Sequence, residues 1–140
     1  MALRAFIRED LVLVNPLDTL AIVCRQLEAH RVGSALVVDD GTLVGIVTER
    51  DIVRAVAEGA DPERFTVSDY MTRSPMTILE ECEMEDAAHA MITNRIRHLP
   101  VVDGENKVVG MLSIRDVVRW TVGEQTTGDV QSLPTLVDLV

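Results

Sequence analysis

Gly45-Ile46-Val47-Thr48-Glu49-Arg50-Asp51-Ile52-Val53-Arg54 is repeated, residue class by residue class, as Gly110-Met111-Leu112-Ser113-Ile114-Arg115-Asp116-Val117-Val118-Arg119. From Gly45 to Gly110 the offset is 65 residues. Upstream, Ala35-Leu36-Val37-Val38-Asp39 matches Leu99-Pro100-Val101-Val102-Asp103 at an offset of 64, so the second copy carries one extra residue in the intervening turn. Self-similarity on this scale marks a chain assembled from one supersecondary unit used twice.

The rest of each copy follows the same plan. Leu20, Val23, Cys24 and Leu27 fall at i, i+3, i+4 and i+7, and Met84, Ala87, Ala88 and Met91 repeat that spacing, which is the stripe of a helix with one buried face. Asp18 and Thr19 are suitable N-cap residues for the first of these helices. A short extended segment precedes each helix, at Leu11 to Val14 and at Met76 to Leu79. Buried strands are expected at Ala35 to Val38 and Leu99 to Val102, then Asp- and Gly-rich turns, then strands at Leu43 to Val47 and Val108 to Leu112. Second helices begin near Thr48 and Ser113; Gly59 with Asp61-Pro62 stops the first, and Trp120 ends the second. The expected fold is α/β (α+β), two β-α-β-β-α units. Their bounds are 8–60 and 75–121, with a linker over 61–74 that packs through Phe65, Val67, Tyr70 and Met71, and a tail over 122–140. Units of about 55 residues are marginal alone, so a shared core is expected. In the tail, Thr126-Thr127-Gly128 reads as loop and Leu133, Leu136, Val137, Leu139 and Val140 as a short helix.

Composition narrows the function. The net charge of −10 disfavours nucleic acid as a partner, because a duplex binder presents a basic face. Of the 13 basic residues only Lys107 is lysine; the rest are arginines, whose planar fork suits phosphate and carboxylate. The apolar runs are too short to cross a bilayer, and no basic region followed by an apolar stretch opens the sequence. With two cysteines, Cys24 and Cys82, at no motif spacing, a reduced, cytoplasmic protein is expected. His30, His89 and His98 do not cluster with carboxylates or cysteines at ligand spacing, so no metal site is expected. Walker, nucleophile-elbow and dinucleotide-binding patterns are missing, and no nucleophile has a positioned base, so an enzyme is not expected.

The chemistry-bearing pairs are Thr48 with Asp51 and Ser113 with Asp116, each at a strand–helix junction and each three residues after a glycine. One reading is a capping box, in which hydroxyl and carboxylate satisfy free backbone N–H groups of the first helical turn. The other is a nucleotide site. A helix N-terminus favours anions, a hydroxyl can donate to phosphate, and a carboxylate can accept from both ribose hydroxyls. The preceding glycine would let a flat ligand approach the backbone. Residue types and spacing leave both open.

The glycine, apolar, any residue, Thr or Ser, two residues, Asp pattern occurs twice, each time after a buried strand ending Val-Val-Asp, and the linker reads Val67-Ser68-Asp69-Tyr70-Met71-Thr72. In this the chain resembles a tandem pair of CBS domains, named after cystathionine beta-synthase, from about Arg8 to Trp120. The resemblance implies units packed through their sheets as one pseudo-twofold module, a cleft that takes AMP, ADP, ATP or S-adenosylmethionine, no prosthetic group, and association into a homodimer. It implies that Asp51 and Asp116 hold ribose hydroxyls and that Thr48 and Ser113 contact ribose or phosphate. It further implies that Thr77 and Ile78 line the adenine pocket and that Arg97 and His98 face the phosphates. Arg50, Arg54, Arg115 and Arg119 recur at helical spacing beside the motif, and Arg115 is counted with the ligand-binding set. Where the second copy has Arg97-His98, the first has Gly33-Ser34, so unequal sites are expected, with the Ser113–Asp116 site the better phosphate binder. The expected function is thus a non-catalytic regulatory module that acts on an unidentified protein, and the competing expectation is a structural or interaction module that binds no nucleotide, its Ser/Thr-x-x-Asp pairs acting only as helix caps.

Overall fold

In the computed structural model of the chain, which describes residues 2–8 and 10–125, helices start where side chains can take up free backbone N–H groups. Helix α1 (Leu20–His30) is capped by Thr19, whose Oγ1 accepts from the Ile22 N–H at 3.3 Å. It buries Leu20, Ala21, Val23 and Leu27 and ends at Arg31 in the left-handed region. In the second copy, the helix at Met84–Asn94 repeats this, burying Met84, Ala87 and Met91 and ending at left-handed Arg95. Cys24 and its counterpart Ala88 are only half-buried, because they sit at the margin of the stripe.

Numbered in chain order, the remaining helices are α2 (Glu49–Ala57), α3 (Val67–Tyr70), α4 (the Met84–Asn94 helix) and α5 (Ile114–Gln125). Gly59, at φ +81°, follows the last turn of α2 as expected. Helix α5 runs on past Trp120, where the sequence reading ended it, since no glycine or proline interrupts the chain before Gly123. No described helix is long and apolar enough to cross a membrane. The loop expected at Thr126–Gly128 and the helix expected over Leu133–Val140 lie outside the described residues.

The strands are β1 (Leu13–Val14), β2 (Ser34–Asp39), β3 (Thr42–Thr48), β4 (Thr72–Arg73), β5 (Ile78–Leu79), β6 (His98–Val102) and β7 (Val108–Ser113). Each copy therefore shows the expected β-α-β-β-α order. The chain forms two compact units. One, spanning Asp10–Pro75 with Asn106–Val108, holds a sheet in the order β1-β2-β3-β4. Strands β1 and β2 are parallel across the α1 crossover, and β2 and β3 form an antiparallel hairpin over Asp40-Gly41, both at positive φ, as a two-residue type I′ turn requires. Its core gathers Val12, Val14, Val23, Leu27, Ala35, Val37, Val47 and Val67. The other unit takes Met76–Glu105 with residues 2–8 and 109–125, and its sheet is β5-β6-β7. Leu3, Ile78, Met84, Met91, Leu99, Val101, Leu112 and Val117 fill its core.

Each of these units is completed by a segment lying outside the helix–strand run of its own copy. In the unit holding β7, a 3-10 turn at Leu3–Ala5 buries Leu3 completely, and Arg8 exchanges backbone bonds with Met111, N to O at 3.2 Å and O to N at 3.3 Å. In the unit holding β3, α3 buries Val67 completely and β4 sets Thr72 opposite Ile46 and Arg73 opposite Gly45. Leu3 corresponds to Val67, Ile7 to Met71 and Arg8 to Thr72 at the same offset of 64 that relates the helices.

Candidate functional site

Strands β3 and β7 deliver Thr48 and Ser113 to the N-termini of α2 and α5. At the first junction the Thr48 backbone N–H donates to Asp51 Oδ2 at 2.8 Å and the Thr48 hydroxyl donates to the same oxygen at 3.2 Å. At the second, the Ser113 N–H and hydroxyl donate to Asp116 Oδ2 at 2.7 and 3.0 Å. At both junctions the aspartate thus takes up the N–H of its own N-cap residue, and at Thr48–Asp51 the reciprocal capping box is complete.

Capping alone does not explain where these carboxylates lie. The same arrangement occurs at Thr66–Asp69 and at Glu83–Asp86, and there the aspartates are exposed. Asp51 and Asp116 are buried, at 8% and 1% exposure, and are, with Ser34, the buried polar residues among the described ones. A carboxylate can cap a helix from the surface, so burial is a cost that capping does not require. Arginines offset it. Arg54 approaches Asp51 Oδ1 at 3.5 Å, Arg119 donates to Asp116 Oδ1 at 3.1 Å, and Arg8 comes within 3.8 Å of that oxygen through Nε. An ionised carboxylate accepts about four hydrogen bonds. At Asp51, Oδ1 has no close hydrogen bond among those described, whereas at Asp116 it is already engaged by Arg119.

The glycines before these motifs have a role other than the one expected. Room for a flat ligand is not left at either: a Cβ on Gly110 would run into Ile7, and one on Gly45 would meet the Met71 sulfur at 2.6 Å and the Thr72 carbonyl oxygen at 3.0 Å. The glycines admit the completing segments, and so hold the strands that carry the motifs.

The other expected site residues are spread along the β5-β6-β7 sheet. Arg97 is brought to the start of α5, since its carbonyl accepts from the Ile114 N–H at 2.8 Å, and its side chain is exposed. His98 opens β6 and is half-buried, and Arg115 is exposed on the first turn of α5. Thr77 immediately precedes β5 and Ile78 opens it, on a strand separated from β7 by β6. Thr77 is half-buried, while the Ile78 side chain lies in the core. In the other unit, the Gly33 carbonyl accepts from the Glu49 N–H at 3.0 Å, and a Cβ there would collide with the Glu49 carboxylate. Sequence reasoning missed Arg8. Its signal was the correspondence of Leu3, Ile7 and Arg8 to Val67, Met71 and Thr72.

Arg54 has further partners. Its guanidinium lies 5.6 Å from the Tyr70 ring centroid and donates to the Tyr70 carbonyl at 3.1 Å. The Tyr70 hydroxyl donates to Glu58 at 2.9 Å, and this bond, which ionisation would break, raises the phenol above its ordinary pKa of 10.0. A groove of about 530 Å³ is lined by Arg54, Glu58, Phe65, Asp69 and Tyr70. Among the described residues no group of three His, Cys, Asp or Glu side chains could hold a metal, and His30 pairs instead with Asp10 at 3.7 Å.

The CBS domain family model matches residues 3–58 and 67–123, one match for each copy. The chain belongs to the CBS domain family. CBS domain pairs are generally regulatory rather than catalytic. Over 107 residues it is 39% identical to an uncharacterized 17.7 kDa protein of Acidianus ambivalens, covering 76% of this chain and 64% of that one, less than two thirds of its length. Among solved structures, the CBS domain protein PAE2072 of Pyrobaculum aerophilum, complexed with AMP, aligns with a TM-score of 0.81 and 31% identity, covering 91% of this chain and 100% of that chain. The CBS domain pair of protein MJ0100, in complex with 5-methylthioadenosine and S-adenosyl-L-methionine, aligns with a TM-score of 0.82 and 26% identity, covering 89% and 98%.

Proposed function

We propose that this CBS domain pair is a non-catalytic regulatory module that binds an adenosine-containing ligand, AMP, ADP, ATP or S-adenosylmethionine, at its strand–helix junctions. The observation that carries this reading is the burial of Asp51 and Asp116 beside arginines, which the exposed capping aspartates Asp69 and Asp86 do without. Asp51 and Asp116 take ribose hydroxyls, Thr48 and Ser113 contact ribose or phosphate, and Thr77 with the β5 backbone at Ile78 faces the adenine. Arg97, His98 and Arg115 supply polar and positive groups for phosphates. The ligands in the PAE2072 and MJ0100 complexes support the adenosine class. Binding shifts the module between arrangements only in so far as the ligand prefers one of them. The module works in the cytoplasm, as a homodimer of pairs, on a protein partner.

One observation favours a second reading, a structural module with no nucleotide: both carboxylates already satisfy their own N-caps. Titration of AMP, ADP, ATP and S-adenosylmethionine against thermal stability separates the two. A ligand at a hundredfold excess over its dissociation constant stabilises the fold by about 2.7 kcal/mol. The proposal expects such stabilisation, weakened in Asp116→Asn or Asp51→Asn. Stabilisation by none of the four ligands leaves the capping reading standing.

A further inference from the structure

Three positions that correspond between the two copies differ in charge around the two motif carboxylates, each leaving the second copy more positive. Beside Asp51 the corresponding strand position is Thr72, the residue before β2 is Gly33, and α2 opens with Glu49, whose carboxylate occupies the space beside Gly33. Beside Asp116 these positions are Arg8, Arg97 and Ile114. Asp51 thus faces one arginine on a helix that opens with a second acid, whereas Asp116 faces Arg119 and Arg8 on a helix whose first N–H bonds to Arg97. One arginine balances a buried carboxylate, and the second leaves the α5 end with positive charge to spare.

Arg8 is also held in place. Its backbone is bonded both ways to Met111, Leu3 anchors the segment in the core, and Ile7 fills the space over Gly110. Its side chain is 39% exposed, and its closest approach to Asp116, at 3.8 Å, is an ion pair too long to be a hydrogen bond.

We infer that Arg8 is a specificity-determining residue of the Ser113–Asp116 site: it balances Asp116 when the site is empty and pairs with phosphate when a nucleotide binds, so that this site selects phosphorylated over neutral adenosine compounds. The Thr48–Asp51 site, with Thr72 and Glu49 in place of those groups, favours ligands without phosphate. The inference rests on the proposed adenosine site and adds to it a residue and a charge preference.

The test is calorimetric titration of AMP and of adenosine into the full chain, the Arg8→Gln variant and the Arg8→Met variant, whose apolar stem preserves the packing of the arginine should glutamine fail to fold. Loss of one charge-assisted bond to phosphate predicts a fall of about tenfold or more in AMP affinity. Adenosine affinity stays within about twofold, as only the charged ligand uses the guanidinium. If the parent chain binds both ligands and the variants keep its ratio of AMP to adenosine affinity, including an equal loss of both, Arg8 has only a structural role and the inference is overturned while the site stands. If the parent chain binds neither compound, the site itself is wrong and the inference falls with it.

Discussion

Replacing Gly110 by alanine tests the central structural claim, that the motif glycines are receptors for the completing segments. The new Cβ would meet the Ile7 side chain and lie 3.1 Å from the Arg8 carbonyl oxygen. If the segment stays in place, the strain resembles an overpacked core and costs about 1–3 kcal/mol. If it detaches, the loss includes the burial of Leu3, about 1.5–3 kcal/mol. It also includes two backbone bonds to Met111, at about 1 kcal/mol each. The segment takes the cheaper course, so the expected destabilisation is about 1–3 kcal/mol, and detachment, at about 3.5–5 kcal/mol, is the ceiling. The assay is urea unfolding followed by the fluorescence of Trp120, the single tryptophan, which packs against the core of the same unit. Ile7→Ala removes the colliding methyl group, so the Gly110→Ala/Ile7→Ala double variant should be more stable than the sum of the single effects by about 1 kcal/mol or more. Additivity of the two substitutions within about 0.5 kcal/mol, or a Gly110→Ala effect below that size, would refute the reasoning.

Other outcomes follow from the same geometry. Asp116→Ala removes the acceptor of two part-buried bonds from Ser113, while Arg119 and Arg8 remain solvated, and should cost about 1.5–3 kcal/mol, whereas Asp86→Ala removes only an exposed cap and should cost about 1 kcal/mol; equal losses in chemical denaturation would contradict the distinction. Tyr70 is the single tyrosine, so absorbance at alkaline pH reads it alone, and its midpoint should lie above 10.0 and fall in Glu58→Gln. The fold favours the neutral phenol, so this contribution to stability is present below the ordinary tyrosine pKa and disappears as pH rises through the raised one. A midpoint that Glu58→Gln leaves unmoved would show that the hydrogen bond is not the cause.

Much of the fold was legible because its signals are local. The i, i+3, i+4, i+7 stripes found α1 and α4, Asp-Gly found the β2–β3 turn, and Gly59 marked the end of α2. The motif pairs were legible as caps, since three-residue spacing fixes that geometry. What spacing could not give was burial. Four hydroxyl- or acid-to-Asp pairs look alike in sequence, and only packing separates Asp51 and Asp116 from Asp69 and Asp86. The glycines were misread for a related reason: a position without Cβ announces a close approach but does not say what approaches. Arg8 escaped because the sequence reading began the first unit there and left Leu3–Ile7 aside. The expectation that the second site carries more positive charge, drawn from Arg97 and His98, gained Arg8 as an added and better-anchored group.

The placement of Leu3–Arg8 on β7 also has a consequence for how the chain acquires its structure. The segment is synthesised roughly a hundred residues before the strand that receives it, a separation that makes this among the slowest kinds of contact to close. Until then Leu3 has no core to enter, and once β7 emerges its outer edge stays open until the early segment returns. Open strand edges invite pairing with another molecule. A second chain could supply its own Leu3–Arg8 to that edge, so crowding on the ribosome or refolding at high concentration should favour exchanged oligomers over the self-completed chain.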